Sequence, residues 1–389
     1  MSLDFRQAYH QELERINQGI TAMARRVVKE WKLRQYCYAF ANYKALMPQL
    51  VEGKKGEEVF VDMLKVRART PLDYKYIDLI DDINYLGHHQ VVTELQKGPF
   101  IFCSYHLGSF RKIVSVLARF GYDFSLIVDR GVYETQKDVS EALVKEINAR
   151  YGTSSDFEII NAENFGAAMT MTKQLKSGRS IVAYIDGNRG TGGAPKDDKQ
   201  MLKVNFLGQQ LHVRKGLSYI SFLTGIPILP VISFRRSPDD ISVYFYEPID
   251  PVKATSRKAF CQATTQRLYD ILEERLLQYP LQWEGWLYIH KYLDTDNLIK
   301  QRRPEPDKQA TRLTPRSQLR FNDKRYGLYQ FGNQFHLFDF DTYLTYLIGK
   351  EEFQVLAGFK GGTTYKKAKK KVAADLFEEL MAQEILRAA

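Results

Sequence analysis

From Gly98 onward the chain alternates short apolar runs with segments of helical period, and no other feature limits its fold so strongly. PFIFCSYH is an apolar run ending at His106. LGSFRKIVSVLARFGYDF follows it, with Leu107, Phe110, Val114 and Leu117 at helical spacing before Gly121. SLIVDR then reads as a strand, VSEALVKEINARYG as a helix closed by glycine, FEIIN as a strand, AAMTMTKQLKSG as a helix and SIVAYID as a strand. After the glycine-rich GNRGTGG, LSYISFLTG supplies a helix, IPILPVISF and ISVYFYEPI two strands, and RKAFCQATTQRLYDILEERLLQYP a long helix. Strands alternating with helices of this length predict an α/β fold, a twisted and mostly parallel sheet flanked by helices. Active residues are expected where strands end and helices begin.

The flanks read differently. Phe5, Tyr9, Leu13, Ile16, Ile20, Met23, Val27 and Trp31 recur every three or four residues, with Arg15, Arg25, Arg26 and Lys29 outside the stripe. That pattern predicts an amphipathic helix, packed on the body of the protein or lying on a membrane surface. Residues 51–95 are mixed, with a hinge expected at Thr70-Pro71. QRRPEPDKQATRLTPRSQ is polar and proline-bearing, as linkers are. LRFNDKRYGLYQFGNQFHLFD alternates around Gly327 and Gly332-Asn333 like a small hairpin sheet. TYLTYLIGK, FQVLAGF and TYKKAKKKVAADLFEELMAQEIL read as helices. The expected organisation is an N-terminal amphipathic helical region over 1–95, an α/β domain over 96–300, a linker over 301–316 and a small α+β module over 317–389.

Composition narrows the function classes. At 44% hydrophobic and 26% charged, the chain of 389 residues is neither disordered nor collagen-like and can build a sizeable core. Cys37, Cys103 and Cys261 share no metal spacing and make no disulfide framework, which points to a reducing compartment and no structural zinc. No run approaches the roughly 18 apolar residues that span a bilayer, and MSLDFRQAYHQELER is charged where a signal peptide would be apolar. A cytoplasmic protein, with peripheral contact to the inner membrane as the variant, is the expectation. Lys and Arg number 56 against 46 Asp and Glu, leaving a net charge of +10 that suits phospholipid headgroups, an acidic carrier protein, phosphorylated ligands or nucleic acid.

His106 is the first chemical signal. A histidine between a buried strand and a helix is placed to act as a general base, because its near-neutral pKa suits removing a hydroxyl or amine proton. The same residue can equally be a packing histidine. No Ser-His-Asp order and no Gly-x-Ser-x-Gly elbow accompanies it.

Four blocks occur in order: FCSYHLGSF, GRSIVAYIDGNRG, VNFLGQQLHVRKGLSYISFLTGIPILPVISF and QWEGWLYIHKYL. Together, across about 96–295, they resemble the lysophospholipid acyltransferase superfamily, in its branch of bacterial lipid A late acyltransferases (lauroyl/myristoyl acyltransferases). The resemblance implies a glycerol-3-phosphate acyltransferase-like domain in which His106 activates the acceptor. It implies that Asp186, Gly187 and Arg189 lie near a substrate headgroup or carrier phosphate, and that Phe206, Gly208 and Arg214 line the acceptor or acyl channel. Trp283, Trp286 and His290 would sit at its closing edge. It implies no metal and no resident cofactor; the acyl thioester on phosphopantetheine is a co-substrate.

One position departs from the pattern. The family's histidine is followed five residues on by Asp or Glu, which orients the imidazole; here that residue is Arg111. A carboxylate from Asp129, Glu134 or Asp186 would repair the pair, an acceptor amine of low pKa would need little base, or the site would bind acyl chains without transferring them; where catalysis is kept, Arg111 would bind an anion such as the phosphopantetheine phosphate or an acceptor carboxylate. The C-terminal module resembles PqqD-like winged-helix domains, which hold peptides or carrier-bound substrates. Its Lys366, Lys367, Lys369, Lys370 and Lys371 offer a docking face for a carrier protein, with nucleic acid the least favoured partner. The expected activity is acyl transfer from an acyl-carrier or CoA thioester to a hydroxyl or amine of a soluble or carrier-tethered acceptor. The alternatives are a catalytically inactive acyl-, peptide- or carrier-binding protein of the same fold, and a peripheral-membrane lipid acyltransferase.

Overall fold

The computed structural model describes residues 3–25, 30–53, 55–90, 98–187, 200–252, 254, 256–295 and 313–388. They form two compact units that cut across the expected boundaries. The first takes Met1–Ala22, Val61–Gly285 and Lys291–Leu293, and the second takes Met23–Phe60, Trp286–His290 and Asp294–Ala389.

The first unit is α/β. Its strands are β1 (Asn84–Gly87), β2 (Ile101–Ser104), β3 (Phe124–Val128), β4 (Phe157–Asn161), β5 (Ser180–Tyr184), β6 (Met201–Phe206), β7 (Gln209–Arg214), β8 (Ile228–Ser237) and β9 (Asp240–Phe245). Seven of them make one sheet in the order β1-β9-β8-β2-β5-β3-β4. Only β8 and β9 pair antiparallel in it, so the expected mostly parallel sheet is present.

Side chains alternate across this sheet and each face meets helices. Phe102, Phe124, Leu126, Val182 and Leu229 pack with Ile113, Val114 and Leu117 of the helix Lys112–Arg119 and with Leu143 and Ile147 of the helix Arg130–Tyr151. Ile101, Cys103 and Ile181, their immediate neighbours in the chain, point the other way. They meet Met171 and Leu175 of Ala167–Lys176, Ile220 of Gly216–Thr224 and Leu268 of Arg257–Leu276. Central strands buried on both faces read as continuous apolar runs, as IFCS and SIVAY do.

Leu3–Arg25 is one helix, and its Tyr9 is buried with its hydroxyl donating to Asp73 at 2.6 Å, so this segment packs on the first unit. Val27 lies outside the described residues. Thr70-Pro71, expected as a hinge, falls inside the continuous helix Gly56–Lys75. A proline within a helix removes one backbone hydrogen bond; the helix holds through it because Leu72 and Asp73 on the same turn are buried.

In the second unit the helix Glu30–Leu46 sets Cys37 and Ala41 against Tyr329, Phe338 and Phe340. β11 (Tyr326–Phe331), β12 (Gln334–Asp339) and β13 (Thr345–Ile348) form one antiparallel sheet. β10 (Gln318–Phe321), β14 (Thr363–Thr364) and β15 (Leu386–Ala388) form another. TYLTYLIGK, expected as a helix, holds β13 instead: its Thr345–Ile348 pairs with Phe335–Phe338, and β-branched and aromatic residues favour that setting. The helix Tyr365–Lys371 exposes all five of its lysines. Among the described residues no helix is long and apolar enough to cross a membrane.

Candidate functional site

β2 and β5 lie side by side, parallel and in register, with Ser104 opposite Tyr184. His106 and Asp186 each follow the last residue of their strand by two, so the topology brings them to the same point on the carboxyl edge of the sheet. Asp186 is buried and accepts four contacts. The backbone N–H of His106 donates to Oδ1 at 3.1 Å and Oδ2 at 3.0 Å, His106 Nδ1 lies 2.8 Å from Oδ1, and the indole N–H of Trp283 donates to Oδ2 at 2.6 Å. A carboxylate facing Nδ1 fixes the proton there and leaves Nε2 as the basic nitrogen. The His106 side chain keeps 23% of its surface exposed, against 2% for Asp186.

The carboxylate that the histidine block lacks is therefore Asp186. Asp129 is engaged elsewhere, capping the helix Arg130–Tyr151 by accepting from the Val132 N–H at 3.1 Å, and Glu134 is exposed on that helix. Burial pushes the His106 pKa down, but the Asp186 charge and hydrogen bond and the nearby Glu284 push it up further, so the net direction is upward despite the opposing Arg111 cation. Burial also raises the Glu284 carboxyl, opposed by His106, Arg67 and Arg111. Arg67 Nε stands 3.7 Å from that carboxylate, and the Glu284 N–H donates to the His106 carbonyl at 3.0 Å.

Two aromatic rings complete the surroundings. The Phe110 ring stands edge-on to His106 at 4.8 Å, Tyr184 lies 5.1 Å from it, and the Tyr184 hydroxyl donates to the Phe110 carbonyl at 2.9 Å. Arg111 begins the helix Lys112–Arg119 with its guanidinium 5.8 Å from both the Tyr74 and Phe110 rings. It donates to Gln136 Oε1 at 2.8 Å, while its buried Nε has no partner among the described residues.

The remaining expected residues divide clearly. A Cβ on Gly187 would stand 3.6 Å from His106 Cε1, and the Gly187 carbonyl accepts from the Tyr292 hydroxyl. Arg189 lies outside the described residues. Phe206 is fully buried, edge-on to Trp283 at 5.7 Å and to Tyr269 at 5.8 Å. Gly208 and Leu207, both with positive φ, form the two-residue turn of the β6–β7 hairpin, a turn that demands such backbone at both positions. Gly208 thus has a local backbone reason to be glycine. Arg214 ends β7 and is exposed.

Of the closing block, Trp283 alone binds Asp186. Trp286 and His290 belong to the second unit, where Trp286 packs edge-on to Tyr43 at 5.3 Å and His290 stacks on Tyr38 at 4.2 Å. Sequence reasoning missed Glu284 and Tyr184. Both adjoin residues it named, Glu284 between the two tryptophans and Tyr184 two residues before Asp186. Among the described residues no group of three or more His, Cys, Asp or Glu is arranged to hold a metal ion. Compared with known proteins, the chain matches no family model and no curated protein.

Proposed function

We propose that the chain is an acyltransferase with a glycerol-3-phosphate acyltransferase-like first unit, related to the lipid A late acyltransferases. The observation that carries this reading is the partly exposed imidazole held on a buried carboxylate at the carboxyl edge of a parallel sheet. His106 Nε2 takes the proton of an acceptor hydroxyl or amine, and Asp186 stabilises the imidazolium. The acceptor oxygen or nitrogen bonds to the thioester carbonyl carbon, the carbon–sulfur bond breaks, and the leaving thiolate receives the proton from His106. Neither an acyl-enzyme nor a metal is needed to balance these steps.

Arg111 fits as the anion anchor of this centre. Its guanidinium is held beside the Tyr74 and Phe110 rings near His106, and a planar fork of donors suits a carboxylate or phosphate on the substrate. The donor is a thioester on acyl carrier protein or CoA, and the acceptor is soluble or carrier-tethered. The five exposed lysines of Tyr365–Lys371 suit an acidic carrier.

The test is mass spectrometry of the full chain incubated with a panel of acyl-carrier and acyl-CoA thioesters and a cell extract. An acylated product that disappears with His106→Ala supports acyl transfer. Thioester consumption and product formation equal in both proteins would remove it.

A further inference from the structure

A second cationic feature of the first unit lies outside the His106 centre. A surface cavity of about 480 Å³ opens between the start of the helix Gly216–Thr224 and the start of the helix Arg257–Leu276, and it is lined by Gln200, Lys215, Tyr219, Arg257, Lys258 and Cys261. It shares no lining residue with the histidine pair. Among the described residues, none of Lys215, Arg257 and Lys258 lies within 4.0 Å of a carboxylate. Arg150, Arg179 and Arg235 of the same unit each do have one.

Two of the cations also converge. The Arg257 guanidinium stands 5.3 Å over the Tyr219 ring, and both Lys215 and Arg257 act electrostatically on the buried Cys261 thiol, opposing the burial that raises its pKa. Three cations line one cavity, and an anion with several charges complements them. Arg257 is moreover the first residue of a 20-residue helix whose axis adds positive potential at this end.

We infer that this cavity binds a phosphorylated ligand carrying at least two phosphate charges, a diphosphate or a nucleotide-like phosphate ester. The Tyr219 ring with Arg257 above it offers a flat surface for a planar group beside the phosphates, and the cationic side chains offer charge-assisted hydrogen bonds. This site does not rest on the acyl-transfer reading, since its residues take no part in the His106 chemistry.

Titration calorimetry on the full chain tests it with inorganic pyrophosphate and, separately, coenzyme A, at low and high salt. Pyrophosphate should bind and should weaken as salt rises, because opposite charges at a surface are screened. The triple variant Lys215→Ala, Arg257→Ala, Lys258→Ala should weaken it by at least roughly tenfold, the loss of charge-assisted bonds. The single reversal Arg257→Glu, at an exposed position, gives the same reading should the triple variant fold poorly. Tighter binding of coenzyme A than of pyrophosphate, with the gain lost in Tyr219→Ala, would identify a nucleotide-type ligand; equal binding would identify a simple polyanion. His106→Ala should leave both affinities unchanged, so a failed acyl-transfer assay leaves this result standing. Absence of pyrophosphate binding, or binding undiminished by both the triple variant and Arg257→Glu, overturns the inference.

Discussion

Two buried carboxylates of the first unit, Asp73 and Asp186, have similar environments and opposite prospects. Asp73 accepts from the Tyr9 hydroxyl and the Ser109 hydroxyl at 2.6 Å each and pairs with Arg235 at 2.6 Å, and all three partners are buried. Close by, the buried Lys112 ammonium donates to the Tyr76 carbonyl at 2.7 Å, with burial lowering its pKa to about 7. Asp186 also accepts from buried groups, but one of its donors is an imidazole that reaches the surface. A carboxylate closed in by buried donors can only hold the chain in place. One that orients a titratable ring at the surface can take part in proton transfer. Ser109, a donor to Asp73, follows His106 by three residues, yet the backbone of His106 itself is held by Asp186 and by the Glu284 N–H rather than by Asp73.

The largest contrast should come from removing the ring. His106→Ala should lower turnover by roughly 10²–10⁴-fold, the usual contribution of a positioned base, while steady-state assays and thermal melts find the melting midpoint nearly unchanged. Asp186 keeps its backbone and indole donors in that variant. Asp73→Ala should do the reverse. Stripping the carboxylate from buried Arg235 should cost about 3–5 kcal/mol in urea unfolding, with turnover per folded molecule close to wild type. A variant that loses turnover but keeps its stability would place Asp73 in the chemistry and dissolve the contrast.

Arg111 sharpens the comparison at smaller scale. Since Asp186 already serves His106, a second carboxylate is superfluous, and Arg111→Glu should not raise activity. Arg111→Ala should raise KM about tenfold with kcat less affected, as expected for one lost charge-assisted contact of roughly 1.5 kcal/mol. Activity gained by Arg111→Glu would mean that His106 lacks an effective partner.

The smallest effect is on pH. Asp186 and Glu284 raise the His106 pKa above its ordinary 6.5, so kcat/KM should rise through a limb above that value as the imidazole loses its proton. Asp186→Asn should move the limb to lower pH, since burial then acts with less opposition. The same shift makes the protonated ring stabilising: that contribution is complete below 6.5 and is lost as pH rises through the folded-state value. A limb that stays put in Asp186→Asn would assign it to another group.

Much of this arrangement was legible in the chain and some could not be. The apolar runs IFCS and SIVAY are strands whose residues face buried surroundings on both sides, and their short length between helical-period segments exposes that. His106 was visible as the residue where a strand gives way to a helix. Its partner was not, because period does not encode strand order, and Asp129, Glu134 and Asp186 all follow the histidine block. Only the pairing of β2 with β5, about 80 residues apart in the chain, selects Asp186. The interleaving of the two units was hidden for the same reason: Cys37 and Ala41 read as one more helical stretch until Phe338 and Phe340 are seen against them. Gly208 illustrates the converse, a motif glycine whose turn accounts for it without a ligand.

The central claim is that His106 and Asp186 act as one unit, and a double-mutant cycle on turnover tests it most directly. His106→Ala, Asp186→Asn and the double variant are assayed with a single acyl thioester donor, normalised to folded protein. The double variant should be no slower than His106→Ala alone, because a carboxylate that works only through the imidazole has nothing left to orient. Losses that multiply across the two sites would show that the two residues act independently and would contradict the account.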